Sequence, residues 1–306
     1  MNIDIKFFKN LYSDDIIYHY TKASTAIDFI LYNLQLKFSK RKKSNDPIES
    51  NMARRGTVYW GYNDDKLYKV NENEDTNELH NFITALENNF YQICFCKNHM
   101  GEDFASENYW SNFEGHEELF GFTKPRMWDQ YADKFTGVCI AFSKEKLLSL
   151  NNKKLEIIPD DVKYFTYREL SERKMGDIQG NYLQNVGVKI YRKQIEKIIK
   201  DSFFYKHVDY EGENEYRLGT CYDKSKCSAE RLKSEFVFDK SIMLDISGCI
   251  EAIFMSSYAN DRQKSYLLEY AIKLNIPLIE MNWQHNSFKP RDYRSWIELV
   301  ENLEKQ

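Results

Sequence analysis

The sequence predicts an α+β fold with a mixed, largely antiparallel sheet. Three observations support this class. Residues 16–39 follow the order strand, helix, strand, and residues 250–279 repeat that order. Between them, residues 236–244 contain two short apolar runs that suit a pair of antiparallel strands.

The first strand, residues 16–21, is a β-branched and aromatic run. Thr21 or Ser24 can cap the helix that follows, because apolar residues recur there at helical spacing. Residues 34–39 then alternate apolar and polar, which predicts a half-buried strand. His19 lies at the carboxyl end of the first strand, beside the start of the helix, where functional sites often form.

The middle and the end of the chain carry further elements. A fully apolar run at residues 137–142 predicts a strand inside the sheet. Pro125 begins a short helix that reaches Asp133. The other predicted elements are helices at 79–89, within 168–206, at 261–274 and at 296–303, and strands at 91–96, 162–167, 216–220, 250–255 and 276–279.

A length of 306 residues allows one domain with a sizeable core. We expect a single domain over residues 1–306, with its core at about 16–256. Insertions are expected near 40–90 and 165–206. The C-terminal part, 250–306, is expected to add the strand, helix, strand unit and a last helix.

Composition excludes several classes of protein. A net charge of -4 and a pI near 6.0 exclude a general nucleic-acid binder, so any polyanion would have to meet a local patch. The six cysteines include no Cys-x-x-Cys pair and have no histidine at a ligand spacing beside them, which argues against a zinc site, so no metal is expected. The sequence has neither a signal-peptide pattern nor a run of about 18 apolar residues, so we expect a cytoplasmic protein with reduced thiols.

Glu213 and Glu215 are the residues around which a functional hypothesis can be built. If both belong to a strand, their side chains stand on one face, roughly 7 Å apart along the backbone. Two adjacent carboxylates repel each other. Either that face is wet, or the pair handles a cation or a proton.

Two other groups of residues have competing interpretations. Trp128 and Tyr131 share a helix face and belong either to the core or to a site. A basic segment close to Trp60 is either a solvated loop or a nucleic-acid patch. The patch would consist of Arg41, Lys42, Lys43, Arg54 and Arg55.

Four motifs stand in order along the chain. They are Tyr18-His19-Tyr20-Thr21 before a helix, Asn45-Asp46-Pro47 with Glu49, Met127-Trp128-x-x-Tyr131-Ala132 before the strand at 137–142, and Glu213-x-Glu215-Tyr216-Arg217. This succession resembles the bacterial family catalogued as domain of unknown function 2971, over roughly residues 16–256. The family name itself carries no function.

A looser resemblance is to the ADP-ribosyltransferase fold, which cleaves NAD at the nicotinamide bond. It is carried by the strand, His-x-Thr, helix and strand at the start and by Glu-x-Glu on a late strand. The resemblance implies that His19 hydrogen-bonds a ribose hydroxyl and that the backbone at Tyr20 holds the nicotinamide amide. It makes Glu215 the catalytic glutamate and Glu213 the residue that orients the acceptor.

Thr21, Trp128 and Tyr131 are also expected to contact NAD. The middle motif of the ADP-ribosyltransferase fold, a Ser or Tyr that opens a strand, has two candidates in this chain, Tyr131 and Ser39. The distance from His19 to the Glu-x-Glu motif is longer than is usual in that fold, which requires insertions.

The resulting hypothesis is an NAD-dependent ADP-ribosyltransferase with a toxin-like or phage-defence role and NAD as its substrate. Its acceptor would be a protein or a nucleic acid, and a neutralising antitoxin would be its partner. The alternatives are an NAD glycohydrolase and a binding or sensor module without turnover. A metal-dependent nuclease, suggested by an Asp-x-Lys at 161–163, is a further alternative.

Overall fold

The computed structural model describes residues 5–41, 82, 85, 86, 88–100, 116–172, 188–221, 242–284 and 287–304. Its centre is a nine-stranded sheet, flanked by two pairs of short strands. Neighbouring strands of the large sheet are antiparallel apart from one parallel pair, β11 and β12. The predicted α+β class and the largely antiparallel sheet are therefore confirmed.

The strands are β1 Ile16–Thr21, β2 Gln35–Lys37, β3 Ser39–Lys40, β4 Phe90–Lys97, β5 Val138–Ser143, β6 Ile158–Asp161, β7 Lys163–Phe165, β8 Tyr205–His207, β9 Glu215–Cys221, β10 Met243–Asp245, β11 Ile250–Ser256, β12 Leu278–Gln284 and β13 Ser287–Asp292. The helices are α1 Ile5–Leu11, α2 Ala23–Thr25, α3 Pro125–Gln130, α4 Lys144–Asn151, α5 Tyr167–Glu172, α6 Val188–Ser202, α7 Asp261–Leu274 and α8 Tyr293–Glu304. The large sheet has the order β13-β12-β11-β5-β1-β4-β9-β6, and β3 pairs with β4.

Both faces of the sheet are covered. β5 is buried at every position, as its apolar sequence predicts for an inner strand. Ile17, Phe95 and Ile140 belong to the core on one face, and Tyr18 and Cys96 belong to the core on the other. Each strand therefore sends alternate side chains into two separate cores.

β1 and β4 are joined over a short distance. Among the described residues their ladder contains two pairs, Ile17 with Lys97 and Tyr18 with Cys96, although β1 continues to Thr21. Just past the ladder, Cys94 is exposed even though its strand lies inside the sheet. The two strands thus separate toward this end and leave an opening between them.

The C-terminal unit confirms the predicted strand, helix, strand order. β11 and β12 are parallel, as a helical crossover requires, and α7 connects them. Asn260 caps α7 by accepting from Gln263 N, and Asn275 ends it in the left-handed conformation. Strand β13 was not predicted. In the described part of the chain, no helix is both long and apolar enough to cross a bilayer.

Several predicted boundaries are wrong. The N-cap of α2 is Lys22 without a side-chain hydrogen bond, so neither Thr21 nor Ser24 caps it. The helix then widens into a π-helix at Ala26–Leu31. The helix predicted to reach Asp133 ends at Gln130, and the chain becomes left-handed from Asp133 to Phe135.

The second half of the chain departs further from prediction. The strand predicted at 162–167 is the shorter β7, and β6, which precedes it, was not predicted. The segment predicted as helical before residue 206 includes the start of β8. The strand predicted at 236–238 lies outside the described residues, as does most of the helix predicted at 79–89.

Candidate functional site

Glu213 and Glu215 come together, although not as two alternate residues of one strand. Glu213 ends a 3-10 turn that begins at Val208, and Glu215 is the first residue of β9. Asn214 between them is left-handed, with φ 45° and ψ 58°, and its Nδ2 donates to Asn98 O at 2.8 Å. The expectation that both carboxylates stand on one strand is therefore wrong, because the chain reverses between them.

Lys206 joins the two carboxylates. Its Nζ lies 2.6 Å from Glu213 Oε2 and 3.2 Å from Glu215 Oε2. Glu213 is 2% exposed and Glu215 is 4% exposed, and Lys206 is buried as well. One cation shared by two buried carboxylates offsets the repulsion that the pair would otherwise suffer.

Arg217 holds Glu215 in a bidentate ion pair. Its Nε donates to Oε1 at 2.5 Å and its Nη2 donates to Oε2 at 2.9 Å. Burial raises the pKa of the Glu215 carboxyl, but Arg217 and then Lys206 outweigh it and bring the pKa down to about 2. Glu215 is therefore ionised at neutral pH and fixed in orientation.

Glu213 has fewer charged partners than Glu215, and one of its oxygens is bound by a tyrosine at the surface. Its Oε1 accepts a hydrogen bond of 3.1 Å from the Tyr131 hydroxyl, and Tyr131 is 39% exposed. Burial, and next the Glu213 charge, raise the pKa of the Tyr131 phenol, so it keeps its proton and remains a donor. Among the described residues, Tyr131 is thus the link between the carboxylate pair and solvent.

A left-handed turn fixes Tyr131. Asp133, Lys134 and Phe135 have φ of 51°, 54° and 67°, values that cost about 1–2 kcal/mol for each non-glycine residue. Gly137 closes the turn where a Cβ would come within 2.4 Å of Thr21 O. This strained connection leads from α3 straight into β5 and leaves Tyr131 at the end of a rigid helix.

A second cation supports the loop that carries Glu213. Lys124 is buried, and its Nζ lies 3.0 Å from His99 Nε2 and 3.1 Å from Gly212 O. Burial lowers the pKa of Lys124. The ring of Tyr210 in the same loop lies between Lys206 at 4.5 Å and Arg126 at 5.2 Å.

His19 is not among the contacts of the carboxylates. It pairs with Ile140 across the sheet and its ring lies 5.7 Å from that of Phe95, whereas Glu215 pairs with Cys96 on the opposite face. His19 Nδ1 donates to Cys94 O at 3.0 Å, at the opening between β1 and β4. Burial lowers the pKa of His19, so the ring is neutral at pH 7.

Trp128 and Tyr20 pack in the core. Thr21, the residue after Tyr20, is buried as well. Trp128 is fully buried, its Nε1 donates to Phe122 O at 2.8 Å, and its ring meets that of Tyr20 edge-on. Tyr20 donates its hydroxyl to Gly121 O. The contact between Trp128 and NAD stays a prediction, and the Trp128 side chain is covered by the core in this structure.

The two candidates for the middle motif separate clearly. Tyr131 donates to Glu213. Ser39 belongs to β3, pairs with Gln92 of β4, and is not among the described partners of the carboxylates. Tyr131, Glu213 and Glu215 are therefore the predicted site residues that the fold brings together.

Arg41, the first residue of the predicted nucleic-acid patch, is buried. Arg41 is 5% exposed, and its guanidinium packs 5.3 Å from the ring of Phe203. It anchors the chain beside the end of α6 and does not face solvent. Lys42, Lys43, Arg54 and Arg55 lie outside the described residues.

Three members of the cluster were not predicted. Arg217 could have been found, because it follows Glu215 by two residues in a strand and so shares its face. Lys206 and Tyr164 gave no signal: Lys206 lies in a three-residue strand that was not predicted, and Tyr164 is 51 positions from Glu215. The Tyr164 hydroxyl accepts from Glu215 N at 2.8 Å.

Residues 127–218 match the model of a family described as "Protein of unknown function (DUF2971)". This segment contains Tyr131, Lys206, Glu213, Glu215 and Arg217, and the match supports the relationship to that family expected from the sequence. No curated protein matches the chain, and no solved structure does.

Proposed function

We propose that the protein is an NAD-dependent ADP-ribosyltransferase that transfers ADP-ribose to a macromolecular acceptor. The observation that carries the proposal is the pair of carboxylates at Glu213 and Glu215, which a buried cationic frame holds beside the partly exposed Tyr131. A rigid anion of this kind suits a reaction in which positive charge develops on the substrate.

The reaction would proceed by departure of nicotinamide. The bond between C1′ of the ribose and the pyridinium nitrogen breaks, and its electron pair leaves with nicotinamide. The remaining ribosyl group carries oxocarbenium character, which a nearby carboxylate stabilises mainly in the transition state. The acceptor then forms the new bond to C1′ and gives up its proton.

We propose different roles for the two glutamates. Both oxygens of Glu215 are engaged by Arg217 and one also by Lys206, so Glu215 serves as a positioning residue. Glu213 Oε1 accepts one hydrogen bond among the described residues, from Tyr131, which an incoming hydroxyl can replace. We therefore assign the catalytic carboxylate and proton acceptor to Glu213, the reverse of the roles that the resemblance implies.

His19 receives no catalytic role in this proposal. Its side chain is directed to the face opposite Glu215 and already donates to Cys94 O. A contact between His19 and NAD would need the ligand to enter the opening between β1 and β4.

The test is incubation with NAD labelled in its adenylate part, together with proteins, RNA and DNA as acceptors. We expect label to appear on a macromolecule and free nicotinamide to accumulate. Glu213→Gln should lower the rate on the order of a hundredfold or more. The control Glu298→Gln removes a carboxylate that is 63% exposed and should have no effect.

Two outcomes would change the assignment. Free ADP-ribose without a labelled macromolecule would indicate an NAD glycohydrolase. If the wild type releases no nicotinamide with any acceptor, the transferase proposal fails.

A toxin-like or phage-defence role, with a neutralising antitoxin, belongs to the same proposal. It predicts that expression arrests bacterial growth and that Glu213→Gln restores it. Growth arrest by the inactive variant would separate toxicity from the transferase chemistry.

A binding module without turnover is the second candidate. It is favoured by the near-complete burial of Glu213 and Glu215 and by the partners that every carboxylate oxygen already has. Such a cluster also serves as a structural ion-pair network. This candidate predicts that NAD binds or is ignored, but is never cleaved.

A further inference from the structure

Tyr167 presents an aromatic ring to solvent in a fixed orientation. Tyr167 is 67% exposed, and its ring packs against the buried ring of His207 in a tilted arrangement, with centroids 4.0 Å apart and an interplanar angle of 32°. One side of the ring is thus backed by the protein. A single exposed aromatic side chain is ordinary, but a ring packed on one side against a buried partner can receive a planar group on its other side.

The backbone under Tyr167 is fixed as well. Thr166 and Glu169 form a capping box at the start of α5, in which Glu169 Oε2 accepts from Thr166 N at 2.8 Å and Thr166 Oγ1 accepts from Glu169 N at 3.3 Å. Phe165, two residues before Tyr167, belongs to β7 and pairs with His207 of the parallel strand β8. The platform is therefore tied to β8 from two directions.

Two residues connect Tyr167 with the carboxylate pair, Glu213 and Glu215. His207, against which Tyr167 packs, directly follows Lys206, which binds both Glu213 and Glu215. On its other side, His207 Nδ1 accepts from Asp209 N at 3.3 Å, and the Asp209 carbonyl accepts from the exposed Arg126 at 2.6 Å. An exposed ring from α5 and an exposed cation from α3 thus contact the segment that connects Lys206 with the carboxylates.

We infer that Tyr167, backed by His207, is a stacking platform for a nucleobase. Every base has a flat π-face, and base–aromatic stacking is tolerant of sequence. The base comes either from the adenine of NAD or from an acceptor nucleic acid. The inference rests on the proposed function for the choice of these two sources, and it deepens that function by naming what lies beside the carboxylates.

The experiment is a set of titrations, by calorimetry or fluorescence, with four probes: AMP, NAD, a single-stranded RNA octamer and the same sequence as DNA. Tyr167→Leu should weaken binding of at least one probe by about 5- to 150-fold. Tyr167→Trp should retain binding, because it keeps a flat ring. Tyr258→Leu is the matched control, since Tyr258 is 63% exposed and lies elsewhere on the chain.

The probes distinguish the sources. A loss limited to AMP and NAD identifies the adenine of the dinucleotide, and a loss limited to the oligonucleotides identifies a base of the acceptor. The inference is overturned if no probe binds the wild type, if Tyr167→Leu binds every probe as the wild type does, or if Tyr258→Leu causes the same loss. Circular dichroism of each variant checks that the chain is folded.

Failure of this inference and failure of the proposed function give different results. If Tyr167-dependent binding occurs but nicotinamide is never released, the platform stands and the transferase fails. If nicotinamide is released at the wild-type rate and Tyr167→Leu changes no affinity, the transferase stands and the platform fails.

Discussion

The Tyr131 hydroxyl donates to Glu213 Oε1 at 3.1 Å across 82 positions of sequence. This bond connects the turn that precedes β5 with the turn that precedes β9. The two turns belong to strands that β1 and β4 separate in the sheet. The candidate site is therefore assembled by the fold as a whole and not by one local motif.

Removal of the Tyr131 hydroxyl should lower the stability of the fold. We expect Tyr131→Phe to lower the free energy of unfolding by about 1.5–3 kcal/mol, because the bond ends on a charged acceptor. In urea denaturation, Tyr32→Phe should show no comparable loss, since Tyr32 is exposed. Equal stability of Tyr131→Phe and the wild type would mean that the bond is not formed in solution.

Loss of Arg217 should be among the most destabilising changes at the site. Arg217→Met leaves the buried Glu215 without its main partner, which costs about 3–5 kcal/mol. The double variant Arg217→Met with Glu215→Met should recover a substantial part of that loss, because the unpaired charge is gone. A double-variant cycle in urea measures the coupling, and simple additivity of the two losses would contradict the ion pair.

The low pKa of Glu215 predicts a pH dependence of stability. Its folded-state pKa of about 2 lies below the reference value of 4.5, so the stabilisation is complete above about pH 4.5 and is lost as the pH falls toward 2. The shift corresponds to about 3 kcal/mol. The difference in unfolding free energy between the wild type and Glu215→Gln should therefore shrink between pH 5 and pH 3, and a constant difference would refute it.

The left-handed turn after Tyr131 predicts a stabilising substitution. Lys134 is exposed and has a φ of 54°, so Lys134→Gly removes backbone strain of about 1 kcal/mol. The exposed Lys153 does not have a positive φ, and Lys153→Gly should be neutral or destabilising. Thermal unfolding compares the two variants, and a lower Tm for Lys134→Gly would contradict the prediction.

His19 provides a test of the geometry. His19→Ala removes the hydrogen bond to Cys94 O and should cost about 0.5–1.5 kcal/mol of stability. At saturating NAD, we expect its rate of nicotinamide release to match that of the wild type. A large fall in that rate, with the fold retained, would return His19 to the reacting centre.

Prediction from the sequence succeeded where one short segment contains its own signal. The apolar run of β5 and the spacing of α7 identified a buried strand and a helix with correct limits or nearly so. Contacts between distant segments could not be predicted, since nothing near Tyr131 in sequence indicates that its hydroxyl meets Glu213, 82 positions later. Asn214 was missed because alternation along a strand assumes that the strand has already begun.

The ladder between β1 and β4 has two residue pairs and divides the large sheet into two parts. One part contains β13, β12, β11, β5 and β1, and the other contains β4, β9 and β6. The side-chain cores cross this seam, but few backbone hydrogen bonds do. Local opening of the sheet should therefore begin between β1 and β4, and amide hydrogens of these two strands should exchange with solvent sooner than those of the fully paired β5.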